Sequence, residues 1–549
     1  MNNSTRTLKN RLASLLTAVV MAASLVPAQA LTELSAHAEQ AVTAMIGKLE
    51  SGKPRHGNGW SWDGANLDIF GGYLVSADED KPIVEADCDI NVTITGYVKP
   101  SLYMGSSFIR TSGSVRWGGS GVFEASGSSN APLILADDFT IDSGYLYGGY
   151  GNLKASGNVT INGGYIVTNI ELSGADSKFV QNSGYADADI INNDSGHSVD
   201  ITVNGGFLGG IVKSEKANVT VQRGYVYLSD ATSLAPDVTF DVYDGIVMLN
   251  YLRVADINNI SGPNVRLNGN RIYEYYISSG TMYAGVLVCK TFINNGTNHN
   301  LTDAELNGGV FAYNTPVTIP TGKTFDGTLV TDNPSVNNGI TVNGSLAENT
   351  TLRGASDHAG VEIFDTAGFA DNTTVIGTAS SVSVMAEGKK LPSAIYGTMG
   401  RESVKINNAN VSDCLIYGYG ANAVSLYGTC SFGDNSMVTG FAYGSYGTGV
   451  AVMDGCSVSC GSMTGYSAQG EGILLFAGDS VKEVGKIGAA SVDGYALDKL
   501  ASNLFLNLYG RTLYQTTGKY VNYSTGSAYS TGDFNSPITS VYIGDELYK

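Results

Sequence analysis

Histidine is almost missing from this chain of 549 residues, and the five present (His37, His56, His197, His299 and His358) stand far apart. No pair has the spacing of a zinc site, so no metal or other cofactor is expected. Six cysteines in a chain this long do not make a disulfide framework. Positive charge is short as well. Thirty-one Lys and Arg face 50 Asp and Glu, a formal charge of −19, which argues against nucleic acid or anionic lipid as a partner. Long apolar runs are lacking after Val26, so no stable membrane span of roughly 20 apolar residues is expected. Proline is low at 12, whereas glycine (70) and tyrosine (32) are high. That balance is the one of an extracellular, β-rich protein.

What the chain has instead is repetition. Between Phe139 and Leu249 a short apolar strand runs six times into a glycine: Gly144, Gly164, Gly184, Gly206, Gly224 and Gly245. The step is nearly even. It is too short for a βαβ unit and, at roughly 20 residues, fits one coil of a β-solenoid, in which each turn buries its inner face by stacking on its neighbours. Two positions after the glycines stand Leu146, Ile166, Ala186, Leu208, Val226 and Val247, all aliphatic. Strand side chains alternate faces, so this column is expected inside. Directly after the glycines stand Tyr145, Tyr165, Tyr185, Phe207 and Tyr225. Their parity is outward, and they read as an exposed aromatic ladder suited to sugar rings or an opposing surface. The equally weighted alternative is that these rings only pack on one another along the ladder.

Taken in order, the chain begins with Arg6, Lys9 and Arg11 before the apolar run Leu12 to Val26, then Ala28-Gln29-Ala30. This is the pattern of a secretory signal peptide over residues 1–30. Leu34, Ala38, Ala41, Val42, Met45, Ile46 and Leu49 recur at helical spacing, which predicts a short helix that caps the first coil within residues 31–59. Trp60 and Trp62 are expected to plug that end. A first solenoid section is expected over 60–314, an irregular Thr-, Asn- and Gly-rich β section over 315–400, and a second solenoid section over 401–510 with a helical cap near Leu497 to Leu508. A Ser-, Thr-, Gly- and Tyr-rich tail follows over 511–549. The glycines Gly428, Gly455 and Gly478 give the second section a wider coil. Coils of about 20–27 residues are therefore expected overall, within the range of solenoid repeats. Cys456 and Cys460 share the parity of Val458 and read as small inward residues. Cys430 and Cys456, about one coil apart, are also placed for a bridge.

The Gly-Gly-Tyr coils resemble the repeats of autotransporter-type adhesin passengers, and the later coils are similar to the pectin-lyase-like superfamily of right-handed parallel β-helices. The chain also resembles secreted adhesin-like solenoid proteins of gut bacteria. It has no long C-terminal barrel of an autotransporter and no Leu-Pro-x-Thr-Gly sorting signal. Resemblance implies an all-β, right-handed parallel β-helix and a secreted or surface-exposed binding protein that contacts glycans or other cell-surface polymers, with self-association as a further option. Two alternatives stand beside it. One is a polysaccharide lyase or hydrolase, the other a structural spacer for domains outside this chain. Asp137-Asp138, Gly196-His197 and Lys213 follow the order of catalytic residues in polygalacturonases. However, the Asn-Thr-Asp element is missing and Asp138 is expected three to four coils from His197, so no catalytic residue is assigned. Gly148 to Leu153 matches half of a calcium-binding nonapeptide, with Leu153 where the ligand Asp belongs.

Overall fold

The computed structural model describes residues 43–547 apart from internal stretches, the longest of which are 476–490, 497–510 and 530–541. The leader and the expected helix over Leu497 to Leu508 therefore lie outside the described residues, as do Cys456 and Cys460. Among the described residues every regular element is a strand.

Hydrophobic alternation makes the first section. Strands Phe139–Ile141, Val159–Ile161 and Val199–Val203 bury every second residue, and their neighbours above and below are parallel. Phe139, Val159, Phe179, Ile201, Val219 and Phe240 are successive rungs of one 12-stranded sheet. The pairing therefore repeats about every 20 residues, the solenoid coil read from the sequence. At the end of each such strand the chain turns through glycine. Gly144, Gly164, Gly184, Gly206 and Gly224 hold φ between 80° and 96°, a left-handed conformation that side chains resist. The chain then enters a second sheet. There Leu146, Ile166, Ala186, Leu208, Val226 and Val247 stack rung on rung, each 2% exposed or less. Each larger member of that column gains about 1.5–3 kcal/mol from burial.

The start of the section departs from the helix expected there. Residues 31–42 lie outside the described residues, but Thr43–Ala44 and Gly47–Leu49 are strands. They add to exposed sheet edges: Thr43 pairs with Tyr73, and Leu49 with Ala86. Gly47, at φ 73°, turns the chain between them. Ile46 and Leu49 are buried while Met45 is 60% exposed. Open edges offer the backbone a hydrogen-bonded partner, and that outweighs the helical periodicity of the side chains. Trp60 and Trp62 are buried on an antiparallel strand between Arg55–Gly57 and Asn66–Ile69, so they plug the first coils as expected.

The far end is closed by a hairpin. Strand Thr281–Cys289 runs antiparallel to both Asn270–Ser278 and Ile246–Arg253, which stops the parallel stack. A second section then begins at Thr291. Its rungs Val317, Ile340, Val361, Val382, Val404, Val424, Val450 and Ile473 continue in parallel register across residues 315–400 and beyond. Its coils are of about the same length as those of the first section, the widest step between these rungs lying between Val424 and Val450. On the adjoining sheet Gly354, Gly377, Gly397, Gly418, Gly440 and Gly465 form an unbroken column. A Cβ at Gly354 would stand 1.7 Å from the Gly360 carbonyl oxygen, and one at Gly418 2.0 Å from that of Ala423. Only glycine lets the two sheets of this coil approach so closely.

Candidate functional site

The second section runs back alongside the first. Gly224 N–H donates to Thr328 Oγ1 at 2.7 Å, Gly206 N–H to Thr351 Oγ1 at 2.8 Å, and Gly144 N–H to Tyr417 Oη at 2.7 Å. As one section's numbers fall the other's rise, so the chain forms a hairpin of two solenoid stacks. Thr328, Thr351 and Thr374 are consecutive rungs, all fully buried. The hydroxyls of Thr328 and Thr351 receive corner N–H groups that the tight glycine turn leaves outside the strand ladder. At the bend, a Cβ on Gly309 would stand 2.3 Å from the Gly245 carbonyl oxygen.

Of the five residues assigned to a binding strip, Tyr165, Tyr185, Phe207 and Tyr225 lie in this seam, and Tyr145 stacks at the end of their row. Tyr145, Tyr165, Tyr185, Phe207 and Tyr225 are consecutive rungs on the outer side of their own coils, as their parity predicts. Their rings stack: 4.9 Å and 10° between Tyr145 and Tyr165, 4.4 Å and 7° between Tyr165 and Tyr185, 4.6 Å and 23° between Tyr185 and Phe207. They do not form a solvent-facing strip. Phe207 and Tyr225 are buried, Tyr165 and Tyr185 half-buried, and Val330, Ile376 and Tyr417 from the second section belong to the same apolar cluster. The Arg353 guanidinium lies 5.9 Å from the Phe207 ring and 5.2 Å from that of Tyr225. Local alternation reports which side of a coil a residue takes. It carries no information on what later folds against that side.

Charges trapped near the seam respond. Burial pushes the Asp332 carboxyl above its ordinary value, against the pull of the Arg353 guanidinium. Asp187 is raised by burial and by Asp189. The Tyr185 and Tyr225 phenols are raised too, burial being the main cause in both.

Where the sections meet at the glycine corners, the seam opens into a polar cleft of about 570 Å³. One wall is an amide ladder. Asn204 Nδ2 donates to Asn182 Oδ1 at 2.9 Å, Asn182 Nδ2 to Asn162 Oδ1 at 2.8 Å, and Asn162 Nδ2 to Asp142 Oδ1 at 2.8 Å. Gln222 and Arg223 continue that wall, and Glu348, Asn349 and Asn372 line the cleft from the second section. Asn349 and Asn372 sit at φ 58° and 56°, the left-handed turns that Asn tolerates better than other side-chain-bearing residues. Arg223 forms an ion pair with Asp326 at 2.6 Å and donates to the Glu348 carbonyl oxygen, which ties the two walls together. The wall Asn162, Asn182, Asn204 and Gln222 recurs two positions before each glycine, a signal present in the sequence. The opposite wall is marked there by Asn349-Thr-Thr-Leu and Asn372-Thr-Thr-Val, one coil apart.

The residues that follow the polygalacturonase order are not brought together. Asp138 and His197 precede rungs Phe139 and Ile201, three rungs apart, which is ~14 Å at ~4.8 Å per rung. His197 contacts Asp194, and Lys213 pairs with Asp189. Leu153, in the half-matched calcium motif, is buried in the core. Among the described residues no group of three His, Cys, Asp or Glu is placed to hold a metal ion, and no helix is long and apolar enough to cross a membrane. Cys88 and Cys289 are free thiols, and burial pushes Cys289 up to about 12. Cys430 stands in register with Val458 on the next strand. No family model, no curated protein and no solved structure matches the chain.

Proposed function

We propose that this is a secreted or surface-exposed, adhesin-like binding protein that contacts glycans or other cell-surface polymers through one face of its solenoid. The observation that supports this reading is the amide-lined cleft. Asn162, Asn182 and Asn204 are held one coil apart at the ends of rigid strands and bonded to one another, so their donors and acceptors are pre-ordered and little side-chain entropy is lost when a ligand engages them. Carboxamides both donate and accept, as sugar hydroxyls do. The expected site thus moves from the tyrosine column, which is packed in the seam, to the corner beside it. Export is supported by the basic residues and apolar run that precede Ala30.

The test is retention of the purified protein on immobilised polysaccharides and on a glycan array, with bovine serum albumin as the negative control. Retention on at least one polymer, competed by the same polymer in solution, is the expected result. Uniform failure across the panel removes the reading.

A further inference from the structure

We infer that the cleft is a subsite for neutral glycan chains lying parallel to the solenoid axis, and that it rejects uronate- or sialate-bearing ones. This rests on the glycan-binding reading above and adds the ligand's charge, direction and contact residues.

Direction follows from the ladder. Asn162, Asn182 and Asn204 are all oriented the same way, each N–H pointing to the rung before it. An Asn carboxamide has two N–H groups and two carbonyl lone pairs. Along the ladder Asn162 and Asn182 each use one N–H and one lone pair on neighbouring rungs. The remaining N–H and lone pair repeat at each rung along the axis, a donor beside an acceptor. Two adjacent hydroxyls of one sugar ring match that pair, one accepting and one donating. From Asn162 to Gln222 is three strand spacings, ~14 Å, room for about three sugar units. A chain laid across the ladder would meet only one rung.

Charge selection follows from what surrounds Arg223, the cation among the cleft's lining residues. Its charge is paired with Asp326 at 2.6 Å, and it also donates to the Glu348 carbonyl, so a ligand carboxylate would compete with a carboxylate already in place. Glu348 itself lines the cleft and is exposed. Arg223, Asp326 and Glu348 together carry one net negative charge, in a chain whose formal charge is −19. An anionic sugar would enter a field of its own sign, and the cation it meets there is already paired. Binding must also do without aromatic stacking, because the tyrosine rings stack on each other. Affinity therefore comes from hydrogen bonds and should be weak per sugar.

Affinity electrophoresis of the full chain in gels containing a soluble neutral β-glucan, galactan, mannan or xylan, against polygalacturonate and hyaluronate at equal mass, tests this. At least one neutral polymer should retard the protein and neither acidic one should. Gln222→Ala, on an exposed side chain, and Asn182→Ala should each weaken retardation about tenfold, the effect of one or two lost hydrogen bonds. Thermal melting monitors the Asn182 variant, and if that variant melts early the Gln222 variant decides. Glu348→Lys should admit polygalacturonate. Neutral binding unchanged in the Gln222 variant overturns the cleft as the site while glycan binding stands. Retention by the acidic polymers in the unmodified protein overturns the charge selection. No retention by any polymer removes the broader reading together with this one.

Discussion

The backbone N–H of Gly144 donates to the phenol oxygen of Tyr417 at 2.7 Å, across 273 residues of sequence. Gly144 turns the first section's coil and Tyr417 stands on the second section, so this one bond spans the seam. Both groups are buried. Tyr417→Phe keeps the ring in the apolar cluster and removes the acceptor. An unpaired buried N–H costs about 1–3 kcal/mol. Chemical denaturation should show a loss of that size, and hydrogen exchange at Gly144 should quicken. An unchanged midpoint and exchange rate would mean that the two sections do not meet in this register.

The tyrosine column gives the second expectation. On a solvent-facing ladder, replacing Tyr165 and Tyr185 together by Ser would leave the fold intact. In the seam the same pair removes two rings stacked 4.4 Å apart and opens a void beside Ile376 and Phe207. The loss should approach the ~3–5 kcal/mol of a truncated buried aromatic. Limited proteolysis near the bend should also become easier, because the sections separate there. A double variant as stable as the parent would show that the rings are dispensable to the seam.

Gly418 tests the second section's register. Ala at this position would place a Cβ 2.0 Å from a backbone oxygen, which cannot yield as a flexible side chain does. We expect a cost at or above the ~1–3 kcal/mol of ordinary overpacking, read as a lower melting temperature. Gly296→Ala is the control, since nothing lies within 4 Å of a Cβ there, although its φ of 69° carries some backbone cost of its own.

Asp332 provides a pH signature. Its folded value is raised by burial, so its neutral form is the one the seam favours. A raised carboxyl contributes stability that is full below the unfolded value near 3.8 and is lost as pH rises through the folded value. The Arg353 guanidinium opposes this but does not cancel it. Asp332→Asn keeps the shape without the charge. Its stability relative to the parent should therefore improve as pH climbs above about 4 and level off once the parent carboxyl is ionised. Parallel pH profiles for the two proteins would show that Asp332 ionises without cost.

How much was legible follows from which interactions are local. Leu146, Ile166, Leu208 and Val226 fill an internal column because alternation and a fixed coil length leave them no other place. The glycines after each strand were readable for the same reason, as positions where φ must turn positive. In the second section the equivalent markers, Gly354 to Gly465, lie inside strands rather than at their ends, so residues 315–400 look irregular although their ladder is unbroken.

The coil, its length and the side of the coil each residue takes are readable from the chain, since these depend on neighbours within about one turn. Tertiary structure decided that the chain doubles back, that Thr43 to Leu49 joins sheet edges as strand, and that the tyrosine column is covered. Beside it, Thr328, Thr351 and Tyr417 take the N–H groups of Gly224, Gly206 and Gly144 from 104, 145 and 273 residues away. A repeat one coil long does not encode contacts at those separations. They depend on the shapes of two finished surfaces, and the polar cleft exists only where those surfaces part.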